Sequence, residues 1–172
     1  MTWSLTEYDN GVAFQQKPTG FTVRFPDSSG NLNSIQANRD ATPNAKAIII
    51  QYRIRLKTGF PKFGYVDHTG TGNLAPNFRI SFRSDFLTDR FWPTGNNCIV
   101  LHAPATGTYS IALDPKLWQD VNGKPADPSA FSSVLGNSGL WVFSYGGGGN
   151  FEHGVFVTNG LAAMDMLSFQ VK

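Results

Sequence analysis

Catalysis on any scaffold needs ionisable groups that converge, and this chain of 172 residues offers few. Glutamate occurs only at Glu7 and Glu152. A glycosidase pair on neighbouring strands would instead present carboxylates at alternate positions facing a cleft. Asp85 and Asp89 fall in a turn-like stretch, where short acids serve the local backbone and the solvent. The histidines, His68, His102 and His153, show neither HxH nor HExxH spacing. No Gly-x-Ser-x-Gly motif occurs, and the run Gly146 to Gly149 is followed by neither Lys-Ser/Thr nor a helix, so it is no phosphate loop. Its glycines read as positions for positive φ and close backbone approach. Cys98, the sole cysteine, sits in the apolar run Cys98-Ile99-Val100-Leu101 and reads as a buried, inert thiol. The chain reads as non-catalytic.

Binding chemistry is better represented. Sugars offer apolar C–H faces to aromatic rings and hydroxyls to planar amide and charged side chains, so loop Trp and Tyr suit a glycan. Trp92 stands in Arg90-Phe91-Trp92-Pro93-Thr94-Gly95-Asn96, flanked by Arg90 and Asn96 as polar partners. Tyr65 with Asp67, and Tyr145 before the glycine run, are further candidates, whereas Trp3, Trp118 and Trp141 are assigned to packing. Arg53, Arg55, Arg79 and Arg83 alternate with apolar residues and would form either a solvated sheet face or the floor of a groove. Arginines spaced along strands suit uronic acids or sulfated glycans better than neutral glucans. A structural calcium ion is a separate expectation, with Glu7, Asp9 and Asp165 as its ligands.

The elements that must position these groups are strands. No window of a dozen residues keeps an apolar i, i+3, i+4 pattern, and Gly or Pro interrupts most candidates. Strands are expected over 21–25, 48–56, 78–83, 98–101, 109–113, 140–145, 155–157 and 164–171, with a tight turn at Asn159-Gly160. In Tyr52-Arg53-Ile54-Arg55-Leu56 and Phe78-Arg79-Ile80-Ser81-Phe82-Arg83 the apolar residues face one way and the arginines the other. Long connections are expected over 59–77, 84–97 and 114–139, the last with a helical turn near 128–134. The expectation is a single all-β domain over residues 1–172, an antiparallel two-sheet β-sandwich with jelly-roll topology.

Composition narrows the partners. Charged residues are 15% of the chain and the net charge is +2, with no Lys/Arg run, which argues against nucleic acid. No apolar stretch is long enough to span a bilayer, so no membrane partner is expected. Oligomeric state and compartment stay open, with an extracellular or secreted setting expected if the segment comes from a larger polysaccharide-active protein.

From about Gly107 to Val171 the chain resembles the galactose-binding-domain-like β-sandwich modules of polysaccharide-active proteins. The resemblance is carried by Tyr109-Ser110-Ile111-Ala112-Leu113-Asp114-Pro115, Trp118, Gly123, Phe131, Leu135, Gly139, Trp141 to Gly149, Phe151, His153-Gly154-Val155, Gly160 and Phe169-Gln170-Val171. It implies a jelly roll of five- and four-strand sheets, commonly with a structural calcium and a glycan site on the loops or a concave face. The first expectation is therefore a non-catalytic carbohydrate-binding module, lectin-like in action, for a polysaccharide or glycan. A structural or assembly β-sandwich of a phage, virion or surface ranks second, with exposed Phe60, Phe63 and Phe91 as contacts. A polysaccharide-active enzyme ranks third.

Overall fold

The computed structural model describes residues 1–6, 12–66, 75–84, 89–95, 97–147 and 153–172. Twelve strands run in chain order as β1 (Trp3–Leu5), β2 (Ala13–Gln16), β3 (Phe21–Arg24), β4 (Ser34–Arg39), β5 (Ala47–Tyr65) and β6 (Asn77–Arg83), then β7 (Arg90–Pro93), β8 (Ile99–Val100), β9 (Ala105–Ala112), β10 (Trp118–Gln119), β11 (Gly139–Gly146) and β12 (Val155–Val171). A 3-10 turn, Pro115–Leu117, and one helix, α1 (Pro128–Gly136), complete the described elements. All strand pairs are antiparallel, in a seven-stranded sheet ordered β1-β4-β11-β6-β7-β10 with β8 also on β6, and a five-stranded sheet ordered β2-β3-β12-β5-β9. The pairs nest: β3 with β12, β4 with β11, β5 with β9, β6 with β7. Nested pairing that alternates between two sheets is a long hairpin wrapped on itself, which is jelly-roll topology. Sheets of seven and five strands replace the five and four that the resemblance implied.

Period-2 patterning sets the faces. On β5, Ile48, Ile50 and Ile54 enter the core while Gln51, Arg53 and Arg55 point outward. On β6, Phe78, Ile80 and Phe82 enter the core, but Arg79 and Ser81 on the opposite face are buried as well. That face was expected to be half-solvated. The core is aromatic, with Phe82 meeting Phe91, Trp118, Phe131 and Trp141 at centroid distances of 5.0–5.8 Å. Trp3 and Trp141 both meet Phe169, so three of the four tryptophans pack as the sequence implied.

Two expectations about β12 are corrected. It is one strand from Val155 to Val171, and Asn159-Gly160 is a bulge rather than a hairpin turn. Asn159 (φ 59°) and Gly160 (φ 154°) supply the positive φ values, and the register with β5 shifts between Thr158 and Gly160. Residues suited to a tight turn are equally suited to a bulge, and only the partner strand decides between them. Likewise β5 continues to Tyr65, through what the Gly and Pro content marked as a loop.

The helix begins where local chemistry dictates. Asp127 accepts a hydrogen bond from the Ala130 N–H at 2.8 Å, and Pro128 occupies the first turn, where no N–H is needed. Asp127→Ala is expected to cost about 1 kcal/mol, read as a lower urea midpoint with an unchanged slope.

Candidate functional site

The outer face of the five-stranded sheet is built by register. Gln15 pairs with Thr22, Thr22 with Asp165, Asp165 with Arg53, and Arg53 with Thr106, so one row of polar side chains crosses β2, β3, β12, β5 and β9. In the adjoining row Ala163 stands between Arg24 and Arg55.

Asp165 is the centre of the row. Its Oδ2 accepts from Arg53 Nε at 2.9 Å and Arg55 Nε at 2.8 Å, and its Oδ1 from Arg55 Nη2 at 3.1 Å and Thr22 Oγ1 at 2.8 Å. Arg53 Nη2 adds an ion-pair contact at 2.8 Å. Burial alone would raise the Asp165 pKa, but hydrogen bonds from Arg55, Thr22 and Arg53 and the Arg55 charge together hold it below the usual carboxylate value. Each guanidinium has five donors and turns its Nε/Nη2 edge to Asp165, so among the described residues each Nη1 is left for another acceptor. The Arg53 side chain is 50% exposed. Lys17, Thr19, Thr22, Arg53, Arg55 and Asp165 line an open cleft of about 460 Å³. Among the described residues of this face, Arg24, Arg53, Arg55 and Lys17 outnumber the carboxylate of Asp165, an excess of positive charge.

The sequence-derived candidates divide between two sheets. Arg53, Arg55 and Asp165 meet here, while Arg79, Arg83, Arg90 and Trp92 lie on the outer face of the seven-stranded sheet. Four arginines therefore do not line one groove floor. Trp92 sits on β7 rather than in a loop and is 5% exposed, with the Arg90 guanidinium 5.9 Å from its ring centroid. In this arrangement the indole face is covered by Arg90 and offers a sugar little surface. Tyr145 is fully buried, and its hydroxyl donates to Met164 Sδ at 3.4 Å. Tyr65, at the end of β5, is half-buried, and its ring passes so close to Gly147 that a Cβ there would stand 2.3 Å from it. Asp67 and Asn96 lie outside the described residues, as do Glu7, Asp9 and Glu152.

Cys98, just before β8, is partly exposed rather than buried, and its side chain interacts with that of Arg79. Burial lowers the Arg79 pKa, and the Cys98 side chain opposes that shift. The Tyr109 hydroxyl donates to the Asn97 carbonyl at 2.9 Å, and burial raises its pKa.

The calcium expectation does not fit Asp165. Both carboxylate oxygens already accept from cationic or hydroxyl donors, and two guanidinium groups within 3.1 Å would repel a divalent cation. Among the described residues no three His, Cys, Asp or Glu side chains cluster as a metal site would require.

Sequence reasoning singled out Arg53 and Arg55 as binding candidates and Asp165 only as a calcium ligand, and it passed over Gln15, Thr22, Arg24 and Thr106. The alternation in Phe21-Thr22-Val23-Arg24 was visible and marks Thr22 and Arg24 as outward. Which strands lie beside them was not. Comparison of the chain with protein-family models, with characterised proteins and with solved structures finds no match.

Proposed function

We propose that the protein is a non-catalytic carbohydrate-binding module that takes an acidic polysaccharide across the outer face of its five-stranded sheet. One observation carries this reading: Arg53 and Arg55 are oriented by Asp165 yet, among the described residues, keep donors for a further acceptor, and Arg53 shares a row across five strands with the neutral side chains of Gln15, Thr22 and Thr106. A carboxylate or sulfate matches the planar donor edge of a guanidinium, and the hydroxyls of a sugar match Gln15, Thr22 and Thr106. The described side chains of the row include no aromatic ring, so recognition here relies on charge and hydrogen bonds instead of the stacking that Trp92 would have supplied. The likeness to galactose-binding-domain-like modules belongs to the same proposal.

The test is retardation in native gels holding uronate, sulfated or neutral polysaccharides. Retardation is expected with an acidic polymer, weakening as salt is added because an exposed ion-pair contact is screened. Arg53→Gln with Arg55→Gln, whose amides still donate to Asp165, should weaken the interaction by about tenfold or more. Arg24→Gln, on an exposed side chain, should weaken it less. Equal retardation by neutral polymers, or none by any polymer, would overturn the proposal.

A second reading, an assembly component, is favoured by Phe60, which is 87% exposed near exposed Leu56 and Leu161 at the β5–β12 bulge. Loss of self-association in Phe60→Ser would support it.

A further inference from the structure

Sheet edges expose unpaired backbone groups, and proteins keep such edges short, charged, proline-bearing or covered. Among the described residues, three of the four strands that end the two sheets follow that rule, and β8, which pairs only with β6, is two residues long. β1 has three residues, β10 two and β2 four, and at β2 the Gln16 side chain bridges to the Trp3 N–H and to the Gly20 carbonyl. The fourth edge strand, β9, runs for eight residues, Ala-Thr-Gly-Thr-Tyr-Ser-Ile-Ala, with no charge and no proline.

Its open groups can be assigned from the ladder. Ala47 exchanges both backbone hydrogen bonds with Lys172, so alternation along β5 turns Ile48, Ile50, Tyr52 and Ile54 toward β9. Their partners are Ile111, Tyr109, Gly107 and Ala105. The N–H and C=O groups of Thr106, Thr108 and Ser110 consequently point away from the sheet. Among the described residues no backbone group meets them, and all three residues are exposed. The next carbonyl in the series, at Ala112, is already taken by the Trp118 indole N–H at 2.9 Å, which ends the open stretch at one side.

We infer that β9 pairs with β9 of a second copy of this chain, antiparallel about Thr108, to give one continuous ten-stranded sheet. The occupant is a second copy because the strand is self-complementary. Pairing about Thr108 sets Thr108 opposite Thr108 of the second copy and Thr106 opposite its Ser110. Each such pair exchanges two backbone hydrogen bonds, and the hydroxyls meet across the strands. No like charges are opposed, since the strand carries none. The contact is isologous and closes at the dimer. The inference stands independently of any ligand. If both hold, Arg53, one strand in from Thr106, places two arginine clusters on a single face.

Sedimentation velocity or light scattering over a wide concentration range tests this. The weight-average mass should rise with concentration from 18.8 kDa toward twice that value and no further. Thr108→Lys, which opposes two cations at the two-fold axis, should raise the dissociation constant by at least about tenfold. Thr108→Pro removes an N–H that points out of the sheet, so it should abolish pairing with the far-UV spectrum unchanged. Phe60→Ser should leave association as it is. A mass of 18.8 kDa at every concentration overturns the inference. Growth beyond the dimer, or association that survives both Thr108 variants, overturns it too.

Discussion

Arg39→Met should destabilise the fold by about 3–5 kcal/mol, the cost of stripping donors from buried acceptors. Arg39 is 1% exposed and, among the described residues, has no carboxylate partner. Its guanidinium instead donates to the carbonyls of Val134 at 2.7 Å, Leu135 at 3.2 Å and Asn137 at 2.9 Å, with a longer contact to Arg83 at 3.4 Å. The first three lie at the C-terminal end of α1, where the dipole is negative; the Val134 carbonyl also accepts from the Asn137 N–H at 3.4 Å and the Leu135 carbonyl from the Thr42 N–H at 2.8 Å. Arg39 also lies 5.7 Å from the Phe82 ring centroid and 5.4 Å from that of Trp141, which offsets part of its desolvation. Burial pushes its pKa down to about 10, so it stays charged at neutral pH. Methionine fills much of the volume but donates nothing, so α1 loses its anchor to β4. For a chain of this size the melting temperature should fall by roughly 10 °C. A fall below a degree or two would show that water or a backbone shift satisfies those carbonyls. Arg39→Lys should land between, since an ammonium cannot span carbonyls on both sides of a planar fork.

Asp165→Asn is expected to cost about 2 kcal/mol, less than a wholly buried pair because Arg53 is half-exposed and screened. The amide leaves Arg53 and Arg55 adjacent with no counter-charge and presents donors where acceptors are needed. The same substitution predicts a change in pH dependence. The Asp165 pKa is lowered on folding, so the folded state binds fewer protons than the unfolded one at mildly acid pH. Its contribution is therefore complete above the unfolded carboxylate pKa of about 4 and is lost as pH falls through the lower folded value. Urea midpoints measured from neutral to strongly acid pH should fall for the wild type and fall less for Asp165→Asn. Parallel curves would mean that the ion pairs add nothing to stability.

Alternation was the strongest local signal. Tyr52-Arg53-Ile54-Arg55 reports its two faces directly, and the structure places Ile54 inside and both arginines outside. Leu140 to Tyr145 and Phe78 to Arg83 also read as strands because they are short and apolar, although both of their faces are buried. β4, Ser-Ile-Gln-Ala-Asn-Arg, escaped notice because four of its six residues are polar and its core-facing set ends in an arginine. The three-residue β1 and four-residue β7 are recruited by neighbours, and a propensity summed over so few residues carries little weight.

Residue types and spacing by themselves determined the all-β class, the two-faced strands and the packing of Trp3, Trp118 and Trp141. They also marked Arg53 and Arg55 as outward. Tertiary structure alone decided that Arg79 and Arg83 belong to the other sheet, that Trp92 lies beneath Arg90, and that Asn159-Gly160 is a bulge. It alone set Asp165, more than a hundred residues from Arg53 and Arg55 in sequence, between them and Thr22. The reason is the range of each interaction. A strand's alternation is written in its own side chains, whereas lateral neighbours are chosen by nested pairing across the whole chain, through contacts that no local window contains.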